Sequence, residues 1–352
     1  MSRVRDIANI LSGGSSAIAT DAEITSAVSD QFMAGKNKLI NGNFAIWQRG
    51  TPLAPTTGQV YTTDRFLALR DGSGATVAVS RQTFTPNTAG NPTGAINGNN
   101  YFYRQSQSVA GSGGTYNLME QRIEGAVLAG QTVTFSFWAK AAASLTLPQI
   151  DYEYTIGGTN TSANVTSNIA VTTSWQRFSY TFTMPTYSGL TPNNTSDFFG
   201  IRIWFPSNTT FTFDTWGWQL EAGSSATAFQ TATGTLQGEL TACHRYYFRY
   251  TAVGAAGNYM PFGMGHGVDA NNARFMFQYP ATTRAIPTLT FTAASTFQKS
   301  YGNVLTSINA GEAGRNSSSV DVTKTGEFTS NSAVLISAAA NQTAYIEVSS
   351  EL

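Results

Sequence analysis

The chain has 352 residues, with 20 Lys or Arg balanced by 20 Asp or Glu. The missing basic surplus excludes a general nucleic-acid binder, which neutralises phosphates with Lys and Arg. Hydrophobic residues at 41% and aromatics at 12% exclude a disordered chain, and 48 threonines, more than all charged residues together, fit a β-rich protein with a Thr, Ser and Asn surface.

Cys243 is the sole cysteine, so no intrachain disulfide framework exists. With His244 and His266 as the histidines, a tetrahedral zinc site is not expected, and neither is any cofactor. No window approaches the ~18 consecutive apolar residues of a spanning helix, which argues against membrane insertion. Asp6 and Asn9 interrupt what would be the apolar part of a signal peptide. The chain reads as made in a cytoplasm and not exported by a cleaved signal.

Residues 1–36 carry helical spacing. Val4, Ile7, Ile10 and Leu11 form one stripe, followed by a Gly/Ser break from Ser12 to Ser16. Thr20-Asp21-Ala22-Glu23 is a capping box, and Ile24, Ala27, Val28 and Phe32 make a second stripe behind it. Helices this short need a partner. That partner is another copy of the chain or a different protein, which makes 1–36 a docking or oligomerisation segment.

From 37 to 230 the period changes to two. Val133, Phe135, Phe137 and Ala139 alternate with polar residues, as do Phe178, Tyr180 and Phe182, Ile201, Ile203 and Phe205, and Phe211 and Phe213. Alternation means one buried and one wet face, and turn clusters such as Gly157-Gly158-Thr159-Asn160 separate the strands. This predicts an all-β jelly-roll β-sandwich. Gly42 is expected to permit a tight turn, with Phe44, Ile46 and Trp47 starting the first core strand. Trp175 is expected to cap one end of the sandwich, and Trp216 and Trp218 flank Gly217 on its last strand.

The segment 231–352 is predicted as a linking helix and a smaller C-terminal β-sandwich. Thr235 is a possible N-cap, and Leu236, Leu240, Cys243 and Tyr247 form the stripe that packs between the two β units. Cys243 then lies on an apolar face as a buried, inert thiol. Phe275 and Phe277, Leu289 and Phe291, Val320 and Val322, Val334 and Ile336, and Ile346 and Val348 mark its strands. Gly263-Met264-Gly265-His266-Gly267 reads as a flexible turn without the helix and lysine of a phosphate loop.

A set of motifs now occurs in order: NKLINGNFAIWQRG (37–50), YTTDRF (61–66), RIEGAVLAGQTVTFSFWAKAA (122–142), TTSWQRFSYTFTMP (172–185), WGWQLEAGSSATAFQ (216–230), LQGELTACHRYYFRY (236–250) and RAIPTLTFT (284–292). The chain resembles bacteriophage tail fibre proteins whose central jelly-roll module is similar to carbohydrate-binding modules. The leader SRVRDIANIL (2–11) with TDAEITSAV (20–28) is similar to leaders on fibre proteins of marine and cyanobacterial phages. The resemblance implies a homotrimeric virion protein. Residues 1–36 would attach it to a phage tail, adaptor or capsid protein, and the β units would contact a host-surface glycan.

Candidate chemistry follows from side-chain placement. Asp151 and Glu153 project from one strand face, roughly 6–7 Å apart, within the range of a glycosidase pair. Any exposed D-x-E strand shows that spacing, so no catalytic residues are assigned and the chain is not expected to be an enzyme. Trp138 and Trp204 point away from their apolar faces, and Arg202 shares the Trp204 face. If these faces belong to one sheet, Trp138, Asp151, Glu153, Arg202 and Trp204 line a shallow carbohydrate-binding groove; the alternative is that the outward tryptophans are covered by a loop, by the N-terminal segment or by a neighbouring chain. A capsid or neck decoration, or a polysaccharide depolymerase, are the alternatives to a tail fibre.

Overall fold

The computed structural model describes residues 34–86, 88–92, 101–193, 196–252, 259–299, 302–340 and 343–352. The predicted docking residues Val4, Ile7, Ile10, Leu11, Ile24, Val28 and Phe32 lie outside the described residues. The first unit is two antiparallel sheets. One has six strands in the order β1 (Gly58–Tyr61), β2 (Phe66–Arg70), β5 (Asn117–Glu124), β10 (Phe198–Trp204), β7 (Leu145–Ile156) and β8 (Thr159–Val171). The other has five, β3 (Thr76–Thr83), β4 (Tyr101–Val109), β11 (Phe211–Ala222), β6 (Thr132–Ala141) and β9 (Gln176–Thr183). The inward positions of both sheets, among them Phe135, Phe137, Ile150, Ile201, Ile203 and Phe213, interdigitate in one core. Two sheets facing across one alternating core make a β-sandwich.

Gly42 lies in a turn, but Phe44, Ile46 and Trp47 do not start a strand; the first strand begins at Gly58. Phe44, Ile46 and Trp47 are nonetheless buried. Asn37 holds this segment down, donating to the carbonyls of Trp218 and Gln230 at 3.0 Å each and accepting from Leu39 N and Leu220 N. Gly42 is needed for close approach: a Cβ there would lie 2.2 Å from the Trp218 carbonyl oxygen.

Helix α1 spans Leu236–His244, and the Thr235 side chain accepts from Gly238 N as the expected N-cap. The predicted apolar stripe is buried only in part: Cys243 is buried and Leu240 half-buried. Leu236 is 45% exposed and Tyr247 begins a strand. What the helix buries is Cys243 and Glu239, whose carboxylate accepts from Asn41 N at 2.7 Å and Thr233 N at 2.8 Å. A buried carboxylate on a helix is tolerated when backbone donors surround it.

The second unit packs a three-stranded sheet against a six-stranded one. The first has the order β12 (Tyr247–Ala252), β20 (Ala344–Ser349), β15 (Thr288–Phe291). The second runs β16 (Phe297–Lys299), β19 (Ala333–Ala338), β13 (Pro261–Gly267), β14 (Asn272–Gln278), β18 (Ser317–Thr323), β17 (Ser307–Ala313). The predicted turn around His266 is strand β13. Its glycines serve packing: a Cβ at Gly263 would meet the Phe275 ring at 2.5 Å, and one at Gly265 would meet the Arg274 carbonyl at 1.8 Å.

The two units are joined by a buried polar seam. Arg65, fully buried, pairs with Glu351, donates to the Arg122 carbonyl at 2.6 Å, and stacks its guanidinium 3.4 Å from the Tyr246 ring centroid. Arg49 pairs with the same Glu351 at 3.3 Å and lies 3.5 Å from the Tyr247 centroid. The main-chain oxygen of Leu352 accepts from Tyr61 Oη at 2.6 Å and Arg122 Nη1 at 3.0 Å. Residues 246–247 and 351–352 thus lie on the outer face of the six-stranded sheet of the first unit, over β1, β2 and β5.

Candidate functional site

Beyond that seam, the outer face of the same sheet carries a planar charged array across β5, β10 and β7. Register sets it. Arg202 stands opposite Glu120 on one side and Asp151 on the other, and Gly200 stands opposite Arg122 and Glu153. Opposed residues share a face, while Ile201 and Ile203 between them enter the core.

Arg202 grips Asp151 with two parallel bonds, Nε to Oδ1 at 2.8 Å and Nη2 to Oδ2 at 2.6 Å, and donates through Nη1 to Glu153. Such fork-to-fork pairing fixes geometry as well as charge. Trp204 Nε1 donates to Asp151 Oδ1 at 2.8 Å and Gln149 Nε2 to Oδ2 at 3.2 Å. Asp151 therefore accepts four donors, which saturates its two oxygens. Arg122 ties Glu153 at 3.2 Å to Glu120 at 3.0 Å. Glu153 keeps a lone pair on each oxygen beyond its bonds to Arg122 and Arg202.

Glu120 owes its place to a glycine. A Cβ at Gly200 would lie 2.1 Å from Glu120 Oε1, so the missing side chain is the slot the carboxyl fills. Among the described residues its other oxygen, Oε2, has no hydrogen-bond partner. Burial pushes the Glu120 carboxyl up to about 8, against the pull of Arg122. Its charged form is disfavoured, and the guanidiniums of Arg122 and Arg202 are balanced by Asp151 and Glu153.

Four of the five predicted residues are thus brought together: Asp151, Glu153, Arg202 and Trp204. Asp151, Glu153 and Arg202 are buried within the array, and Trp204 is half-buried. Asp151 positions the others. Trp204, with its ring beside the Arg202 guanidinium (5.7 Å to the centroid), and Glu153 are the groups with capacity to meet a ligand. The D-x-E pair does not stand as two independent carboxyls, since Arg202 holds both.

Trp138 does not join them. It lies on β6 in the opposite sheet, facing outward on the other side of the sandwich, beside Trp216 in register. There it packs with Phe84, Phe102, Trp216, Trp175 and Phe229. Alternation gives its outward direction; the condition that its face shares a sheet with Trp204 is not met. Glu120, Arg122 and Gly200 were not singled out from the sequence. The signal available was the charge alternation in Glu120-Gln121-Arg122, where a solvated strand face carries opposite charges two apart.

Residues 84–194 match a family described as a carbohydrate binding domain. The matched segment contains Trp138, Asp151 and Glu153 and ends before Arg202 and Trp204. No curated protein matches the chain. Among solved structures, a family 4 carbohydrate-binding module (CBM4) is similar, with 18% identity over 52% of this chain and 98% of that one and a TM-score of 0.31. The CBM22-1 xylan-binding domain from Paenibacillus barcinonensis is similar at 11% identity, covering 56% of this chain and 100% of that one, TM-score 0.33. So is the enzymatically active domain of tailspike protein 4 of bacteriophage CBA120, at 14% identity over 53% of this chain and 22% of that one, TM-score 0.37.

Proposed function

We propose that this chain is a glycan-binding protein of a phage virion, a homotrimeric tail fibre subunit made in the host cytoplasm. Residues 1–36 attach it to a tail, adaptor or capsid protein, and the first β-sandwich contacts host-surface glycan without turnover. The observation that carries the glycan reading is the half-buried Trp204 ring set beside Arg202 and bonded to Asp151, with Arg202 bridging from Asp151 to Glu153. A sugar ring stacks on an aromatic face, and its hydroxyls bond to planar polar side chains that lose no freedom on binding. The carbohydrate binding domain match over residues 84–194 supports it. The fibre reading rests on the ordered motifs. Two of them, YTTDRF and HRYYFRY, supply Arg65, Tyr246 and the Arg49-contacting Tyr247 of the seam between the two units.

The test is calorimetric titration of the full chain with oligosaccharides from host lipopolysaccharide. Trp204→Ala is expected to weaken binding at least tenfold, about 1.4 kcal/mol, with little change in melting temperature. Binding equal to the parent removes this face. Antibody labelling of particles addresses the virion reading separately: labelled fibres support it, labelled capsid vertices keep a virion protein but contradict the tail fibre, and no label contradicts both.

A further inference from the structure

We infer that a hollow at one end of the first sandwich binds a single neutral sugar residue, independently of the Arg202 face. The hollow has a volume of about 300 Å³ and lies where the end of β4, the connection from β6 to β7, and the start of β11 converge. It shares no residue with the Arg122, Asp151, Glu153, Arg202 and Trp204 array.

Its walls are built before any ligand arrives. Gln107 Nε2 donates to the carbonyls of Ser207 at 2.8 Å and Thr209 at 3.0 Å, which pins the loop leading into β11. Ala142 N donates to the Thr212 carbonyl at 3.0 Å, and the Ser106 and Thr212 hydroxyls are 3.1 Å apart. The Phe211 ring, half-buried, stacks on the buried Phe205 ring at 5.2 Å between centroids and 18° between planes. It is an aromatic wall that does not turn.

The lining chemistry selects the occupant. Phe211 and Leu145 offer apolar surface, and Ser108, Ser144 and Thr210 carry hydroxyls that, among the described residues, bond to no protein group. The lining contains no Lys, Arg, His, Asp or Glu. An acidic sugar or a phosphate would find no counter-ion in this lining. A purely apolar ligand would leave the hydroxyls unmet. A neutral pyranose satisfies both surfaces, with its C–H face on Phe211 and its hydroxyls on the serines and threonine. The volume is at the low end of small-molecule sites, roughly 300–1,000 Å³, so it takes one residue and not a chain.

Saturation-transfer NMR on the full chain tests this with the methyl glycosides of glucose, galactose, mannose and N-acetylglucosamine, and with glucuronate. At least one neutral glycoside is expected to bind with a Kd on the order of 1 mM, the ceiling for so small and polar a ligand. Because the Trp204 face can contribute signal of its own, the hollow is read in a Trp204→Ala background, which is expected to keep part of the signal; there Ala143→Trp, on an exposed loop at the mouth, and Phe211→Ala are each expected to abolish what remains, with melting curves confirming the fold. Absence of binding by every neutral glycoside, survival of the signal in Ala143→Trp on that background, or equal binding of glucuronate there overturns the hollow as a site. A signal lost in Trp204→Ala and kept in both hollow variants made alone also overturns it, while leaving the sheet-face reading standing.

Discussion

Trp216 and Trp218 stand two residues apart on β11 and face opposite ways. In a regular strand they would share a face. Gly217, at φ +71°, sits in a bulge where the register with β6 shifts between Trp216 and Gln219. Trp218 enters the core, 5.3 Å from Phe66 and 5.1 Å from Phe135 between ring centroids, with its indole N–H on the Thr215 hydroxyl at 2.8 Å. Trp216 joins the outer cluster, 4.7 Å from Phe229.

Gly217→Ala tests that bulge. The new Cβ would sit in left-handed backbone, 3.3 Å from Trp138 Cδ1. A loss of about 1–2 kcal/mol is expected from the backbone conformation alone, read as a lower urea midpoint. An unchanged midpoint would mean that the strand straightens and both tryptophans repack.

Arg202 and Trp204 should separate in their effects. Arg202→Leu leaves Asp151 and Glu153 without their shared counter-ion, and a stability loss of about 3 kcal/mol is expected. Replacing Arg202 and Asp151 together by Leu should recover part of it, because no saturated carboxylate is then left unpaired. Denaturant titration of the parent, both single variants and the pair closes the cycle. Full additivity would mean that the bidentate bond contributes nothing.

Glu120 gives the fold a pH slope of defined sign. Its pKa is raised in the folded chain from the ordinary 4.5 to about 8 by burial. The folded state therefore holds a proton that the unfolded state has released. This contribution is full below about 4.5, declines as pH rises toward 8, and is constant above that. Glu120→Gln fills the slot over Gly200 with a neutral group. At pH above about 8 the variant should be more stable than the parent, by a few kcal/mol at most, and at low pH the difference should vanish. Urea unfolding across that range measures it. Parallel pH profiles would contradict a protonated Glu120.

The Arg65–Glu351 pair should decide whether the two units melt together. Arg65→Met leaves Glu351 with Arg49 as its remaining ion-pair partner and removes the stacking on Tyr246. Calorimetry of the parent is expected to show one transition, and the variant two. One unshifted transition in both would mean that the seam does not couple the units.

Cys243 is buried, and burial raises its thiol well above the ordinary range. It is expected to resist Ellman's reagent in the native chain and to react fully in guanidinium. Rapid labelling of the folded protein would contradict its burial on the inner side of α1.

Most strands were legible because period-two alternation survives without knowledge of partners. Phe135 and Phe137 on β6, Ile201 and Ile203 on β10, and Val320 and Val322 on β18 all enter cores as the pattern required. Alternation gives a residue's face but not its sheet, and that is why Trp138 and Trp204 could be joined only on a condition. Glycine-rich stretches misled for a related reason. The glycines of β13 answer to the Phe275 ring and the Arg274 backbone across the sheet, which no local rule sees. The seam was hidden because its charges, Arg65 and Glu351, lie 286 positions apart. Phe44, Ile46 and Trp47 looked like a strand because turn backbone pinned by Asn37 and Asn41 can bury the same apolar side chains.

Backbone hydrogen exchange of the full chain, with and without saturating host oligosaccharide, tests the central claim most directly. Slowed exchange is expected, concentrated in 149–155 and 200–206, the β7 and β10 segments that carry Glu153 and Trp204, with a weaker effect at 118–124. Protection confined to 259–349, or none under conditions where binding is independently saturated, would contradict it.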